Sequence, residues 1–278
     1  MTDKIKNIAL TLVLAIIIFG FGVYLLFGPD TGYSDSERRV LAKFPETNTE
    51  TLLNGSFMKD FESYTLDQFP LRDTFRSIKM FTSLRVFGNL TANDLYTYGD
   101  YVVKQEYPLD YDVVSNNLDT LSSVYNKLIK DKADNTYFVI VPDKNYYFAD
   151  LSGRLSFDWE DIKDIVAQKL PTFEQIDITQ SLDYSSYYYT DTHWSQDKII
   201  PVADKISASL GTTLEGGYTE HVLESDFYGV YTGQLMLPVK ADKIVYLRNN
   251  VIDSFVIRGV APDIKKSYIS LDDSFSRL

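Results

Sequence analysis

Two side chains in the second half of the chain have the types and spacing of a proton-transfer pair. Asp191 and His193 lie in the stretch 187–195, after three tyrosines and before an apolar helical pattern that ends at Gly211. An Asp close to a His can accept the imidazole Nδ1–H, fix the tautomer and leave Nε2 free to deprotonate a nucleophile. The same spacing also fits a surface turn in which Asp191 caps the helix and Trp194 is a core anchor.

Composition excludes several other chemistries. The 278 residues include no Cys, which excludes disulfides, thiolate catalysis and Cys-ligated metals. The other imidazole, His221, lies in a Gly-rich stretch with acidic neighbours and is interpreted as a solvated loop residue. No phosphate-binding or dinucleotide-binding fingerprint occurs. We therefore expect no metal and no organic cofactor. With 27 basic and 39 acidic residues the net charge is −12, which predicts no nucleic-acid partner.

An uncharged segment at the amino end predicts a membrane helix. Ile8–Phe27 contains twenty residues without a charge, enough to cross a bilayer core of about 30 Å. A buried core helix and a cleaved signal peptide are the alternatives, but the run is long for a signal peptide and ends in a poor cleavage site. Lys4 and Lys6 precede it, which favours an internal amino end. We expect a cytoplasmic tail at 1–7, a signal anchor at 8–28 and an extracytoplasmic remainder on the cell membrane.

The segment 29–94 is predicted to be a linker followed by a helical arm. Residues 29–36 are rich in Gly, Pro, Ser and Asp, which indicates a linker. Phe57, Phe61 and Tyr64 recur with helical spacing, and this helix should end before Pro70. A second helix is expected over about 73–86, with its apolar side chains turned inward. These are Phe75, Ile78, Phe81 and Leu84.

From residue 95 onward the pattern predicts an α/β domain, 95–278. A helical stripe runs from Val114 to Leu128, and a continuous apolar run over Tyr137–Val141 indicates a strand buried on both faces. A helix near 158–169 and a second strand near 173–178 follow. Strand, helix and strand at this spacing indicate a parallel sheet, whose functional groups collect at the carboxyl ends of the strands.

Five short motifs, in this order along the chain, resemble those of the DHHW family and the related alginate O-acetyltransferases. They are Ser36–Pro45, Asp67–Arg72, Pro142–Lys144, Asp191–Trp194 and Asp226–Gly229. The resemblance covers about residues 34–270. One departure is Thr192, where the name-giving signature has His. The resemblance implies an SGNH-hydrolase-like parallel sheet with flanking helices, preceded here by one transmembrane helix.

The resemblance also implies a function and partners. It implies O-acetyl transfer or ester hydrolysis on a cell-envelope polysaccharide, with His193 as general base, Asp191 as its orienting partner and a Ser as acyl carrier. A membrane acyltransferase is a further partner that it implies. The alternative is a non-catalytic envelope protein that binds glycan or a component of an assembly machine.

The nucleophile is the point at which the sequence departs from the family pattern. The family has its Ser in an Asp-Ser-Phe/Tyr turn after a final strand, and this chain offers Ser254 and Ser274. Ser254 lies in Val251–Ile257, which is expected to continue as a strand, whereas a nucleophile needs a sharp turn. Ser274 is close to the end of the chain, where fraying is expected. We expect the domain to be incomplete and the chain to be inactive alone, with Ser274 as the remaining candidate.

Overall fold

The structure, a computed structural model, describes residues 3–255 and the backbone of 257–259 and 267–269. The helices in chain order are α1 (Asp3–Phe27), α2 (Thr49–Leu53), α3 (Ser56–Asp67), α4 (Arg72–Phe81), α5 (Tyr111–Leu128), α6 (Lys144–Ser152), α7 (Trp159–Lys169), α8 (Ile200–Ser209), α9 (Val230–Leu235) and α10 (Asn250–Ser254). The strands are β1 (Tyr33–Ser34), β2 (Arg39–Val40), β3 (Leu95–Tyr98), β4 (Tyr101–Lys104), β5 (Tyr137–Phe138), β6 (Glu174–Gln175), β7 (Thr219–Val222), β8 (Val245–Arg248), β9 (Ile257–Gly259) and β10 (Ser267–Ile269). The protein is thus mixed α/β with one long apolar helix at its amino end.

The chain divides into two compact units, which are described separately. The first unit consists of Met1–Thr97 with Val230–Val239, and the second consists of Tyr98–Gly229 with Lys240–Leu278. Helix α1 belongs to the first unit, and none of its residues is buried. Its length and composition are those of a helix that crosses a membrane, which both a membrane anchor and a signal sequence satisfy.

Helix α3 has the predicted aromatic face. Tyr64 is buried, and the rings of Phe57, Phe61 and Tyr64 surround Phe44 with centroid distances of 5.3–6.5 Å. Edge-on contacts of this kind stabilise more than the buried area alone. The aromatic cluster holds α3 against the segment that follows β2.

Helix α4 lies where it was predicted, but its apolar side chains do not face inward as expected. It continues through a π-helical turn at 82–86, so that the helical segment covers 72–86. Phe75, Ile78 and Phe81 were expected to face inward and are instead 45%, 55% and 54% exposed. The buried residue of α4 is Met80, on the opposite side of the helix. Helical periodicity predicts a stripe but does not identify what covers it.

Charged side chains of the first unit form a surface network. Arg39 donates to both carboxylate oxygens of Asp67, at 2.8 and 2.5 Å. Arg72 and Arg76 both bind Glu37, at 2.8 and 3.1 Å. Two of the quoted motifs, Ser36–Pro45 and Asp67–Arg72, are therefore joined by ion pairs. The Arg39 guanidinium lowers the pKa of Asp67 to about 2.

The second unit contains the predicted parallel strand pair in a short form. Strand β5 pairs parallel with β6, and the ladder is extended by the Ile176 amide, which donates to the Phe138 carbonyl at 2.9 Å. The sheets of the described residues each have two strands, so that the five-residue strand expected over Tyr137–Val141 is only two residues long here. Pro142, which has no N–H to donate, follows closely.

Side chains of β5 and its extension still alternate between two apolar clusters. Tyr137 and Val139 pack on a cluster of Ile176, Ile178, Leu182 and Val202, to which α8 contributes. Phe138 and Ile140 pack on the other side against Leu118, Val166 and Leu170, which come from α5 and the end of α7. The strand is therefore covered on both faces, as its apolar run predicted.

Candidate active site

Asp191 and His193 contact each other through their side chains. The distance from His193 Nδ1 to Asp191 Oδ1 is 2.5 Å, and the His193 amide donates to the same oxygen at 3.1 Å. The Asp191 side chain is 5% exposed, whereas the His193 side chain is 75% exposed. A buried carboxylate that binds Nδ1 keeps the proton on that nitrogen and leaves Nε2 as the basic atom.

The pair sits at the tip of a narrow loop, residues 187–193, which we call the His193 loop. Tyr187 and Trp194 form an isolated antiparallel bridge, and the Tyr188 amide donates to the His193 carbonyl at 3.2 Å. Two chain segments are thereby held side by side at the base of the loop. This pairing turns the tip back on itself and brings Asp191 and His193 together.

Lys144 lies beneath the His193 loop and is 2% exposed. Its Nζ, which carries at most three protons, lies within hydrogen-bond distance of four backbone carbonyls, at 2.7, 2.6, 2.9 and 3.2 Å from those of Val102, Tyr188, Tyr189 and Asp191. Three of these carbonyls belong to the loop. Burial lowers the pKa of Lys144 to about 7, and the negative charges of Asp242 and Asp191 oppose that shift.

The motif Pro142–Lys144 explains how a charged residue reaches this position. Asp143 caps α6 by accepting from the Tyr146 amide at 2.7 Å, and burial raises the pKa of Asp143 to about 6. The Pro142 carbonyl accepts from the Tyr187 hydroxyl at 2.7 Å. Lys144 is therefore fixed in the first turn of α6, where its side chain enters the loop from below.

Asp242 binds the other side of the loop and was not predicted as a site residue. It is 4% exposed and accepts from the Tyr189 amide at 2.5 Å, the Thr190 amide at 2.8 Å and the Thr190 hydroxyl at 2.6 Å. Hydrogen bonds to a charged acceptor are about twice as strong as neutral ones. Nothing in the local sequence pattern distinguishes this Asp, because its partners lie about fifty residues earlier.

Gly229 completes the support and explains the motif Asp226–Gly229. Its amide donates to the Thr190 hydroxyl at 2.7 Å. A Cβ at this glycine would lie 2.4 Å from both the Thr190 carbonyl and Asp191 Cβ. Only a residue without a side chain permits this approach of two backbones. Phe227 stacks edge-on against Tyr188, with ring centroids 5.7 Å apart.

The remaining sequence predictions have mixed outcomes. Trp194 was expected to be a core anchor; it is half-buried and packs against the cluster around Val202. Ser254 was expected in a strand but ends helix α10, where its hydroxyl donates to the Val251 carbonyl at 2.6 Å. Asn249 explains this difference, because its side chain accepts from the Ile252 amide and so begins a helix.

Ser274 lies outside the described residues. His221, expected in a loop, lies in strand β7 and stacks on Tyr246 at 5.2 Å. Among the residues that the structure describes, no three acidic or imidazole side chains are grouped to hold a metal ion. The predictions that no metal and no cofactor is needed stay predictions.

Comparisons with known proteins find similar solved structures. No family model and no curated protein matches the sequence. PatB1 from Bacillus cereus has a TM-score of 0.48 and 14% identity, over 64% of this chain and 66% of that one. PatB1 with a sulfonyl adduct has a TM-score of 0.49 and 16% identity, over 66% of each chain. A DHHW family protein from Eubacterium siraeum has a TM-score of 0.45 and 16% identity, over 56% of this chain and 55% of that one.

A DHHW family protein is thus among the structures that this chain resembles, as its motifs predicted. The chain spans 55–66% of the length of these three structures.

Proposed function

We propose that this chain is a membrane-anchored extracytoplasmic protein that transfers or hydrolyses O-acetyl esters of a cell-envelope polysaccharide. The observation that carries the proposal is the contact between a buried Asp191 and an exposed His193. A carboxylate that is buried only to stabilise the fold does not require an imidazole that is open to solvent as its partner. An exposed imidazole whose Nδ1 is held in place is, by contrast, what a general base requires.

The proposed chemistry uses a Ser as acyl carrier, with Ser274 as the candidate. His193 Nε2 takes the proton of the Ser hydroxyl as Oγ attacks the ester carbonyl, and the same proton is given to the alcohol that leaves. Water or a sugar hydroxyl then attacks the acetyl-Ser and gives its proton to Nε2, which passes it to Ser Oγ as the bond from Oγ to the acetyl carbon breaks and acetate or the acetylated sugar is released. Asp191 stabilises the imidazolium in both steps. Support from Lys144 and Asp242 is consistent with a loop that must keep its geometry.

The location in the cell is part of the same proposal. Residues 1–7 are cytoplasmic, 8–28 form the anchor, and 29–94 form the linker and helical arm that lead to an SGNH-hydrolase-like domain at 95–278. The length of α1 supports the anchor, and Lys4 and Lys6 near its amino end support this orientation. The envelope polysaccharide and a membrane acyltransferase are the proposed partners.

A fluorophosphonate probe tests the chemistry, because it reacts only with an activated Ser. Because the chain is expected to be inactive alone, we expect no labelling of the purified full chain. Labelling that occurs and disappears in both His193→Ala and Ser274→Ala would overturn that expectation and identify Ser274 as the acyl carrier. In that case Asp191→Asn should reduce the labelling rate on the order of a hundredfold or more. Thr192→Ala is the matched control, since Thr192 is exposed and lies between the two residues.

The result also decides between the two functions considered. A folded chain that binds purified polysaccharide and shows neither labelling nor esterase activity would favour the non-catalytic envelope protein. Labelling that survives Ser274→Ala but is lost in His193→Ala would reject Ser274 and retain the base.

A further inference from the structure

One side of helix α4 is apolar and is largely exposed. Its residues share one stripe with helical spacing, which we call the α4 face and which consists of Leu71, Phe75, Ile78 and Phe81. They are 66%, 45%, 55% and 54% exposed. The opposite side holds the buried Met80 and the ion-paired Arg76. This helix is amphipathic, but most of its apolar side is exposed, whereas the apolar side of a core helix is buried.

The α4 face is continuous with the apolar helix α1. Phe21 of α1 contacts Phe69 and Phe75, with ring centroids 5.2 and 6.0 Å apart, and those two rings are 5.8 Å from each other. Phe21 lies six residues before Phe27, the end of α1. At 1.5 Å per residue it is about 9 Å from that end. A bilayer that contains α1 therefore reaches the start of α4.

Hydrogen bonds hold helix α3 next to the carboxyl end of α1. The Tyr64 hydroxyl lies 2.8 Å from the Asp30 carboxylate and 3.0 Å from the Leu25 carbonyl, and these two acceptors share its one proton. The Gln68 side chain accepts from the Thr31 amide at 2.8 Å and donates to the Thr31 carbonyl at 3.0 Å. The segment that leaves α1 is thus bound to helix α3 and to the residue that follows α3. Helix α4 is the next helix along the chain.

The basic residues beside the α4 face suit the surface of an anionic bilayer. Lys79 and Arg85 are exposed, and neither forms an ion pair within the part of the chain that the structure describes. Arg72 and Arg76, in contrast, are occupied by Glu37. Basic side chains beside an amphipathic helix are attracted to anionic lipid headgroups.

We propose that the α4 face lies in the outer leaflet, at the boundary between headgroups and acyl chains, so that the first unit contacts the bilayer through two helices. The proposal rests on the proposed anchoring by α1. The depth of Phe21, about 9 Å, agrees with the 5–10 Å at which in-plane amphipathic helices are buried. The contact of α1 with α4 favours lipid over a partner protein, since the lipid that surrounds an inserted α1 already reaches this face.

Spin labels at single cysteines test the proposal, because the natural chain has none. The full chain, reconstituted into phosphatidylcholine–phosphatidylglycerol vesicles, is labelled in the variants Ile78→Cys and Phe81→Cys. Both side chains are more than half exposed, so their replacement leaves the packing intact. Val13→Cys in α1 is the reference for lipid, and Thr120→Cys on the exposed side of α5 is the reference for water.

We expect the labels at 78 and 81 to collide several-fold more with oxygen than with a water-soluble nickel chelate, at a depth of about 5–10 Å. Labels as accessible to nickel as the one at 120 would overturn the proposal. Labels shielded from both reagents would overturn it in favour of a covering protein. A label at 13 that behaves as in water would instead reject the anchoring by α1, and with it this inference, which separates the two failures.

Discussion

Charged residues are used differently in the two units. In the first unit, Arg39, Asp67, Glu37 and Arg72 pair with one another, and their side chains are 43%, 10%, 20% and 18% exposed. In the second unit, Lys144 is 2% exposed and Asp242 4% exposed, and both bind the backbone of the His193 loop. In the first unit, several weak ion pairs join the segments, so that the others remain when one is lost. In the second unit, each support of the loop depends on one side chain.

This difference predicts where the protein tolerates substitution. A solvent-exposed ion pair contributes about 0.2–1 kcal/mol, because water and salt screen it. A buried donor that is removed leaves its acceptors unsatisfied, which costs about 1–3 kcal/mol for each one. Substitutions of similar chemical size should therefore have small effects in the charged network and large effects beneath the loop.

Lys144→Met should have the largest effect. Met fills a similar volume but donates no hydrogen bond, so that four carbonyls lose a partner. We expect the free energy of unfolding to fall by about 3 kcal/mol or more. Urea unfolding followed by Trp fluorescence measures it, since Trp159 and Trp194 both lie in the second unit.

The matched control is Lys169→Met, which removes a surface pair with Asp119. It should change the free energy of unfolding by about 0.5 kcal/mol. Equal effects of the two substitutions would contradict the distinction drawn here.

Gly229→Ala should have the next largest effect. Its Cβ would meet the Thr190 carbonyl and Asp191 Cβ at 2.4 Å, so that two backbone segments must separate. We expect a loss of about 1–3 kcal/mol in the same urea experiment. Gly216→Ala is the control, because a Cβ at Gly216 meets no atom within 4 Å. A Gly229→Ala variant as stable as Gly216→Ala would show that the loop yields easily.

The pH dependence of stability sharpens the role of Lys144. Its pKa in the folded protein is lowered to about 7 from 10.5, so that between these values the unfolded chain binds more protons than the folded one. Stability from this group therefore rises with pH above about 7, by up to about 1.4 kcal/mol per pH unit. The stability difference between the natural chain and Lys144→Met should grow from pH 7 to pH 9. A difference that stays constant or shrinks over this range would mean that the folded pKa of Lys144 is not lowered.

Arg39→Gln should have the smallest effect. Asp67 keeps the Ala42 amide as a donor at 2.8 Å, and Glu37 keeps Arg72 and Arg76. We expect a loss of about 0.5 kcal/mol, which corresponds to roughly twofold faster hydrogen exchange at the end of α3. Exchange that is tenfold faster or more, measured by mass spectrometry, would place Arg39 with the single-group contacts. Arg85→Gln is the control for removal of one exposed guanidinium.

The sequence predicts well those features that depend on near neighbours. Helices α3, α5, α7 and α8 follow from apolar spacing, which is a property of ten to twenty consecutive residues. The contact of Asp191 with His193 is likewise local, because the two lie two positions apart. The parallel pairing of β5 with β6 was also predicted, from the order of a strand, a helix and a second strand.

Features that depend on distant segments were not predictable in the same way. Lys144 and Asp242 reach the His193 loop from about fifty residues away on either side, and no local pattern reports such a meeting. The α4 face was wrongly predicted to point inward. Helical periodicity shows that the apolar residues share one side, but the prediction assumed that this side packs on a core. The strand expected at Ser254 was replaced by a helix that the Asn249 cap begins.

The bonds from Tyr64 and Gln68 to the exit from α1 have a consequence for the reach of the first unit. Residues 29–36 were expected to be a free linker, and eight flexible residues would allow about 15 Å of travel. The bound Asp30 and Thr31, and the strand that begins at Tyr33, remove that slack. The rest of the first unit is then held directly against the end of α1 and is not connected to it by a flexible linker. With α1 as the proposed anchor, the first unit would move by sliding within the plane of the membrane.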